Sequence, residues 1–206
     1  MSNKHALQVF LDELASGAPT PGGGSAAAAA GAMGAALVSM VCNLTIGREK
    51  FAGVEAQMQE TLARSEALRA ELSQFMADDI EAYQAVMAAY RLPKGTEQEK
   101  AARAEAIQAG LKKATLTPLA TARACAEVIE LCQFVVESGN PNAASDAGAG
   151  AACAQAGLKA ATLNVLINLG SIKDEGFIST QQTELNQILS KHNLADEIHE
   201  SVKSRL

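Results

Sequence analysis

Residues 26–42 read Ala-Ala-Ala-Ala-Ala-Gly-Ala-Met-Gly-Ala-Ala-Leu-Val-Ser-Met-Val-Cys, a run of small apolar residues interrupted only by Ser39. Ala has the highest helix propensity of any residue and is depleted from strands, so the run predicts a helix. Its length approaches the roughly 20 apolar residues of a membrane span. Most of it is Ala and Gly, however, it is slightly short, and no second span accompanies it, which argues against a span. A helix that is apolar all round is then the buried centre of a helical protein. Gly31 and Gly34 let neighbouring backbones come close. Asn142 to Leu169 repeats the pattern, again with side chains too small for an ordinary surface helix.

Outward from these two segments, the whole chain fits the same reading. Of 206 residues 42 are Ala and 16 Gly, aromatics are 3% with no Trp, and hydrophobic residues reach 48%. That composition is too apolar for a disordered chain. It predicts an all-α fold: an elongated antiparallel helical bundle, one domain over residues 1–206, with two tightly packed Ala/Gly-rich helices that need close partners and so favour a homodimer. A net charge of -6 argues against a nucleic-acid or anionic-membrane partner. Four Cys spread over this length, in apolar contexts and without C-x-x-C spacing, read as buried small residues rather than a disulfide or zinc framework.

Along the chain, Leu7, Phe10, Leu11 and Leu14 give a short amphipathic helix from Met1 to Ser16, with Ser2 as its N-cap. Its polar residues Lys4, His5, Asp12 and Glu13 suit neither a signal h-region nor a transit peptide, so a cytoplasmic protein is expected. Glu55 to Leu92 carries the clearest stripe: Leu68, Leu72, Phe75, Asp79, Tyr83, Val86 and Tyr90 recur at steps of three and four. Pro93 and Gly95 end it. A charged helix follows from Glu97 to Lys113. Thr117 and Pro118 then look like the N-cap and first residue of another helix, which Gly139-Asn140-Pro141 stops. From Thr180 to Leu206 the tail mixes apolar and polar residues.

Three places carry chemistry. Asp79 sits at the centre of the stripe, between Phe75 and Tyr83. A carboxylate there must be paired, hydrogen-bonded or protonated; desolvation raises its pKa toward that of a general acid–base, while a purely structural bond to a neighbouring helix is the alternative. The turn Pro21-Gly22-Gly23-Gly24-Ser25 opens the next helix on N–H groups without internal partners. It lacks the Gly-Lys-Ser/Thr ending of a Walker loop, and taken alone it reads first as a flexible entry to the helix. Asn140, Asn142, Ser145 and Asp146 begin the second Ala-rich helix, where Ser145 or Asn142 caps it or the group meets a ligand. Asn164 and Asn168, an i, i+4 pair among apolar residues, need hydrogen bonds if buried. They lie about 27 Å beyond Asp146 at 1.5 Å per residue, so one chain's helix cannot bring both ends to one small ligand. His192, Asp196 and His199 share a helix face at metal-compatible spacing in a segment that reads as solvated, and no metal centre is expected.

Several of these residues also carry a resemblance. Leu14 to Ser25, Asp79-Ile80-Glu81-Ala82-Tyr83, Arg91-Leu92-Pro93-Lys94, Gly139-Asn140, Ser145 to Gly148, Asn164-Val165 and Asn168-Leu169 resemble, in order and spacing, the formiminotransferase–cyclodeaminase C-terminal domain family. The likeness runs from about Phe10 to Phe177. It implies an all-helical, dimeric folate enzyme, with a tetrahydrofolate derivative as substrate and no tightly bound cofactor. Ser39 to Gly47 and the chain length are most similar to the family's stand-alone methenyltetrahydrofolate cyclohydrolases. The resemblance therefore implies hydrolysis of 5,10-methenyltetrahydrofolate to 10-formyltetrahydrofolate. Cyclodeamination of 5-formiminotetrahydrofolate is the second reading, and a non-catalytic folate-binding or interaction module the third. The family's catalytic carboxylate maps onto Asp79. On this reading the Pro21–Ser25 turn and the Asn140, Asn142, Ser145 and Asp146 segment contact the pterin, and Arg48, Lys50 or Lys94 meets the glutamate carboxylates.

Overall fold

The computed structural model describes residues 6–190 and 193–205. Among them there is no strand. The helices are α1 (Ala6–Leu14), α2 (Gly23–Thr45), α3 (Glu55–Tyr90), α4 (Glu97–Ser138), α5 (Ala144–Leu169), α6 (Glu175–Leu189) and α7 (Leu194–Lys203), with 3-10 turns at Glu49–Val54 and Pro141–Ala143. The expected N-cap Ser2 lies outside the described residues.

Length comes from α3 and α4. At 1.5 Å per residue the 36 residues of α3 and 42 of α4 extend about 54 and 63 Å. Thr96 stops the turn between them with a reciprocal capping box to Glu99. The helix break expected at Thr117-Pro118 does not occur, and α4 runs straight through. Pro118 lacks an N–H, which leaves the Ala114 carbonyl without its helical donor. The Asn168 side chain of α5 supplies one instead, Nδ2 donating to Ala114 O at 3.0 Å. A tertiary hydrogen bond thus replaces the missing local one. The tail also differs from expectation, with α6 beginning at Glu175 behind an Asp174 cap and α7 forming a separate helix.

The Ala/Gly segments answer how a chain poor in aromatics builds a core. α2 and α5 run antiparallel, Gly34 facing Gly150 and Ala154 while Gly31 and Ala27 face Gly157. A Cβ on Gly34 would sit 2.8 Å from Gly150 O, and one on Gly157 would sit 2.7 Å from Ala27 O. Backbone therefore packs against backbone, at a density that larger side chains would prevent. Larger residues of α3 and α4, including Leu68, Leu72, Leu119, Val128 and Ile129, close over this pair. α2 is long and apolar enough to cross a membrane by length and composition, but 56% of its most apolar stretch is buried inside the fold. Burial holds Cys42 near a pKa of about 11 and raises Cys125 and Cys132 to about 12, so these thiols stay protonated and serve as small packing residues.

Candidate active site

α2 begins without a side-chain cap of its own: Gly22 holds the N-cap position and offers none. Asp79, from the middle of α3, takes that place. Its carboxylate accepts a hydrogen bond from the Ser25 main-chain N–H in the first turn of α2, and Ser25 Oγ donates to Asp79 Oδ2 at 3.1 Å. These bonds favour the charged form, yet desolvation outweighs them and pushes the Asp79 pKa above its ordinary value. The result is a carboxyl fixed at a helix N-terminus whose proton is held more tightly than that of a surface aspartate.

Asp79 lines a cavity of about 350 Å³, within the size range of small-molecule sites. Four segments build it. Pro19, Thr20 and the backbone of Gly22, Gly23 and Gly24 form one side; Tyr83, Val86, Met87 and Tyr90, one or more turns beyond Asp79 on α3, form another. Ala114 of α4 and Asn164, Ile167 and Asn168 of α5 close it. Arg103 holds Tyr90 in place by donating to its carbonyl at 3.0 and 3.1 Å, with its guanidinium over the ring. A groove of about 210 Å³ shares Pro19, Thr20, Tyr83 and Met87 with the cavity and ends at Arg91.

Of the residues singled out in the sequence, Gly22, Gly23, Gly24 and Asp79 come together. Pro21 and Ser25 are buried behind the turn rather than in the cavity, and Ser25 acts on Asp79 instead. The Asn140–Asp146 segment stands at the other end of the bundle from the Asp79 cavity. Asn140 Oδ1 accepts the Asn142 N–H, while Asn140 donates from Nδ2 to Leu44 O at 3.1 Å and from its own main-chain N–H to Thr45 Oγ1, all at the C-terminus of α2. The cavity is at the N-terminus of α2, about 33 Å away along 23 residues. Asn140 caps the turn, so neither Ser145 nor Asn142 does, and Asn142 and Ser145 are exposed there, with Asp146 half-buried. Arg48 and Lys50 follow α2 at this same far end, Lys50 over the Phe51 ring, and are likewise removed from the cavity. Lys94 is at the same end as the cavity, exposed in the α3–α4 turn, but lines neither the cavity nor the groove.

The sequence assignment passed over Tyr83, Tyr90, Asn164, Asn168 and Arg91. Tyr83 and Tyr90 share Asp79's stripe, which was their signal. The two Asn were visible as polar residues on an apolar helix, and the 27 Å between them and Asp146 already made the ends of α5 alternatives. His192 of the supposed metal-compatible face lies outside the described residues; among those described, no cluster of three or more His, Cys, Asp or Glu is suited to a metal.

An all-helical scaffold that fixes a carboxyl of raised pKa in a cavity flanked by tyrosines and amides has the make-up of a small-molecule site rather than a docking scaffold. The formiminotransferase-cyclodeaminase family model matches residues 6–187, and the chain belongs to that family. It is 52% identical over 207 residues, and all of each chain, to the methenyltetrahydrofolate cyclohydrolase of Methylorubrum extorquens. With the formimidoyltransferase-cyclodeaminase of Sus scrofa identity is 36%, over 90% of this chain but 34% of that longer protein. The crystal structure of formiminotetrahydrofolate cyclodeaminase from Thermotoga maritima superimposes with a TM-score of 0.85 at 31% identity, covering 97% of this chain and 98% of that one.

Proposed function

We propose that this chain hydrolyses 5,10-methenyltetrahydrofolate to 10-formyltetrahydrofolate, with Asp79 moving the protons. The observation that carries the reading is 52% identity along the full length of both chains to a methenyltetrahydrofolate cyclohydrolase. The Asp79 geometry supports it. The ionised carboxyl takes a proton from water as the water oxygen bonds to the methenyl carbon. It then returns that proton to N5 as the carbon–N5 bond breaks. The carbinol proton leaves to solvent as the formyl C=O forms, so one water is consumed and one proton released. The methenyl substrate is a cation, which a carboxylate in a low-dielectric cavity also attracts. A carboxyl with a raised pKa suits both the taking and the giving.

Arg91, at the end of the groove that continues the cavity, replaces Arg48, Lys50 and Lys94 as the group meeting the substrate's glutamate carboxylates. The enzyme works without a tightly bound cofactor, in the cytoplasm, and as a homodimer without nucleic-acid or membrane partners. The dimer is supported by large apolar side chains left exposed on the paired helices α2 and α5, Met33, Met40, Leu163 and Ile167 among them. The Thermotoga maritima likeness favours cyclodeamination of 5-formiminotetrahydrofolate as the second reading. Loss of methenyl absorbance beyond the spontaneous rate is expected. Its absence, with ammonia released from the formimino substrate, would reverse the order of the two.

A further inference from the structure

Asn164 and Asn168 stand one helical turn apart on α5 and both line the Asp79 cavity. Each amide nitrogen donates one of its two N–H groups to a main-chain carbonyl. Asn164 Nδ2 donates to Ala160 O at 2.9 Å, and Asn168 Nδ2 donates to the Ala114 carbonyl that Pro118 leaves free, at 3.0 Å. A carbonyl accepts and never donates, so these bonds decide which end of each amide is oxygen. Both Oδ1 atoms are left as acceptors, and no buried side-chain oxygen or nitrogen among the described residues lacks a partner. Neither oxygen is sealed off without a partner, and both residues line the cavity, so the two oxygens are open to it.

We propose that Asn164 and Asn168 read the pyrimidine edge of the pterin, their Oδ1 atoms accepting from ring N3–H and from the 2-amino group. The assignment rests on the folate reading above. A 2-amino-4-oxo ring carries those two donors on one edge, and side chains from successive turns, about 5–6 Å apart at Cβ, can converge on that edge. The placement also fits the chemistry. Gly23 lies against Asn164 and Gly24 against Asp79, so neighbouring residues of one turn border the reading edge and the proton-transfer group. A ring seated on the amides extends its N5 side toward Asp79. A ring lacking the 2-amino group leaves one acceptor without its partner and is disfavoured for that reason.

The test compares 5,10-methenyltetrahydrofolate with its 2-desamino-2-methyl analogue. The unmodified enzyme should favour the parent by about tenfold or more in kcat/KM. Asn164→Ala removes only a hydrogen bond within α5, so the fold should survive. It should raise KM for the parent about tenfold with kcat within about twofold, and bring the preference close to one. Asn168→Ala should do the same, with thermal melting recorded because its bond to Ala114 joins two helices. An unmodified enzyme that treats both compounds alike, or variants that keep its preference, would overturn the assignment alone. An unmodified protein that neither hydrolyses nor binds the parent would remove the folate reading and this assignment with it.

Discussion

Gly24 occupies the position where a side chain would overlap Asp79: a Cβ built there falls on the carboxylate, closest to Oδ1. Gly23, its neighbour, has room, since a Cβ would meet Asn164 Nδ2 at 3.5 Å, an ordinary contact. The two glycines should therefore behave differently. Gly24→Ala is expected to push the carboxyl aside and lower kcat about a hundredfold, since a displacement near 1 Å at a reacting group costs that much. Gly23→Ala should stay within a few-fold of the parent. Steady-state kinetics on both, with circular dichroism to confirm the helices, separates a positional requirement from a general need for glycine in the turn.

Asp79→Asn should lower kcat by about 10²- to 10⁴-fold while leaving the protein folded. It should also make the protein more stable at neutral pH. Burial raises the Asp79 pKa in the folded state, so between its unfolded and folded values the native protein binds more protons than the unfolded chain. Stability then falls as pH rises through that interval, and the full penalty is present above the folded pKa. Asn carries no such penalty. Thermal melts should show the variant above the parent at pH 7.5, the gap closing as pH drops below the ordinary aspartate range. A gap that widens in acid would mean that the folded state favours the charged carboxyl.

Ser25→Ala tests the hydroxyl that holds the carboxyl. Its bond to Asp79 Oδ2 favours the ionised form. Without it the carboxyl pKa should rise further, and the acid limb of the kcat/KM profile should move to higher pH. The main-chain N–H of Ser25 remains as a second partner, so Asp79 keeps its position and activity persists on the alkaline side. An unmoved acid limb would show that Asp79 is not the titrating group.

Periodicity made the architecture legible. The stripe from Leu68 to Tyr90 placed Asp79 on the inner face of α3, and the run from Ala26 to Cys42 identified the buried helix that Asp79 caps. What sequence spacing does not contain is which helix end meets which. Asn140 and Asp146 stand in a turn as polar as the Gly22–Gly24 turn, but antiparallel packing of α5 on α2 carries them to the far end of the bundle. Arg48, Lys50 and Lys94 drew attention as cations without information on direction, whereas Arg91, which ends the groove, looked like part of a helix terminus. Thr117-Pro118 has the local signature of a helix start. It is overridden by a hydrogen bond from Asn168, a residue 50 positions further along the chain.

Backbone contact between α2 and α5 gives a last expectation, about stability rather than activity. Glycine inside a helix costs about 0.5–1 kcal/mol relative to alanine, so replacing it gains stability wherever space allows. Gly110 in α4 has that space: a Cβ would lie 3.4 Å from Val86 Cγ2, and Gly110→Ala should raise the melting temperature. Gly157 in α5 has none, because the same atom would lie 2.7 Å from Ala27 O and 2.9 Å from Cys125 Sγ. Main chain cannot turn aside as a flexible side chain does, so Gly157→Ala forces the helices apart. Overpacking of this kind costs about 1–3 kcal/mol, which exceeds the gain in propensity. Gly157→Ala should therefore melt below the parent while Gly110→Ala melts above it. A Gly157→Ala protein as stable as Gly110→Ala would show that the two Ala-rich helices do not depend on backbone contact to form the core.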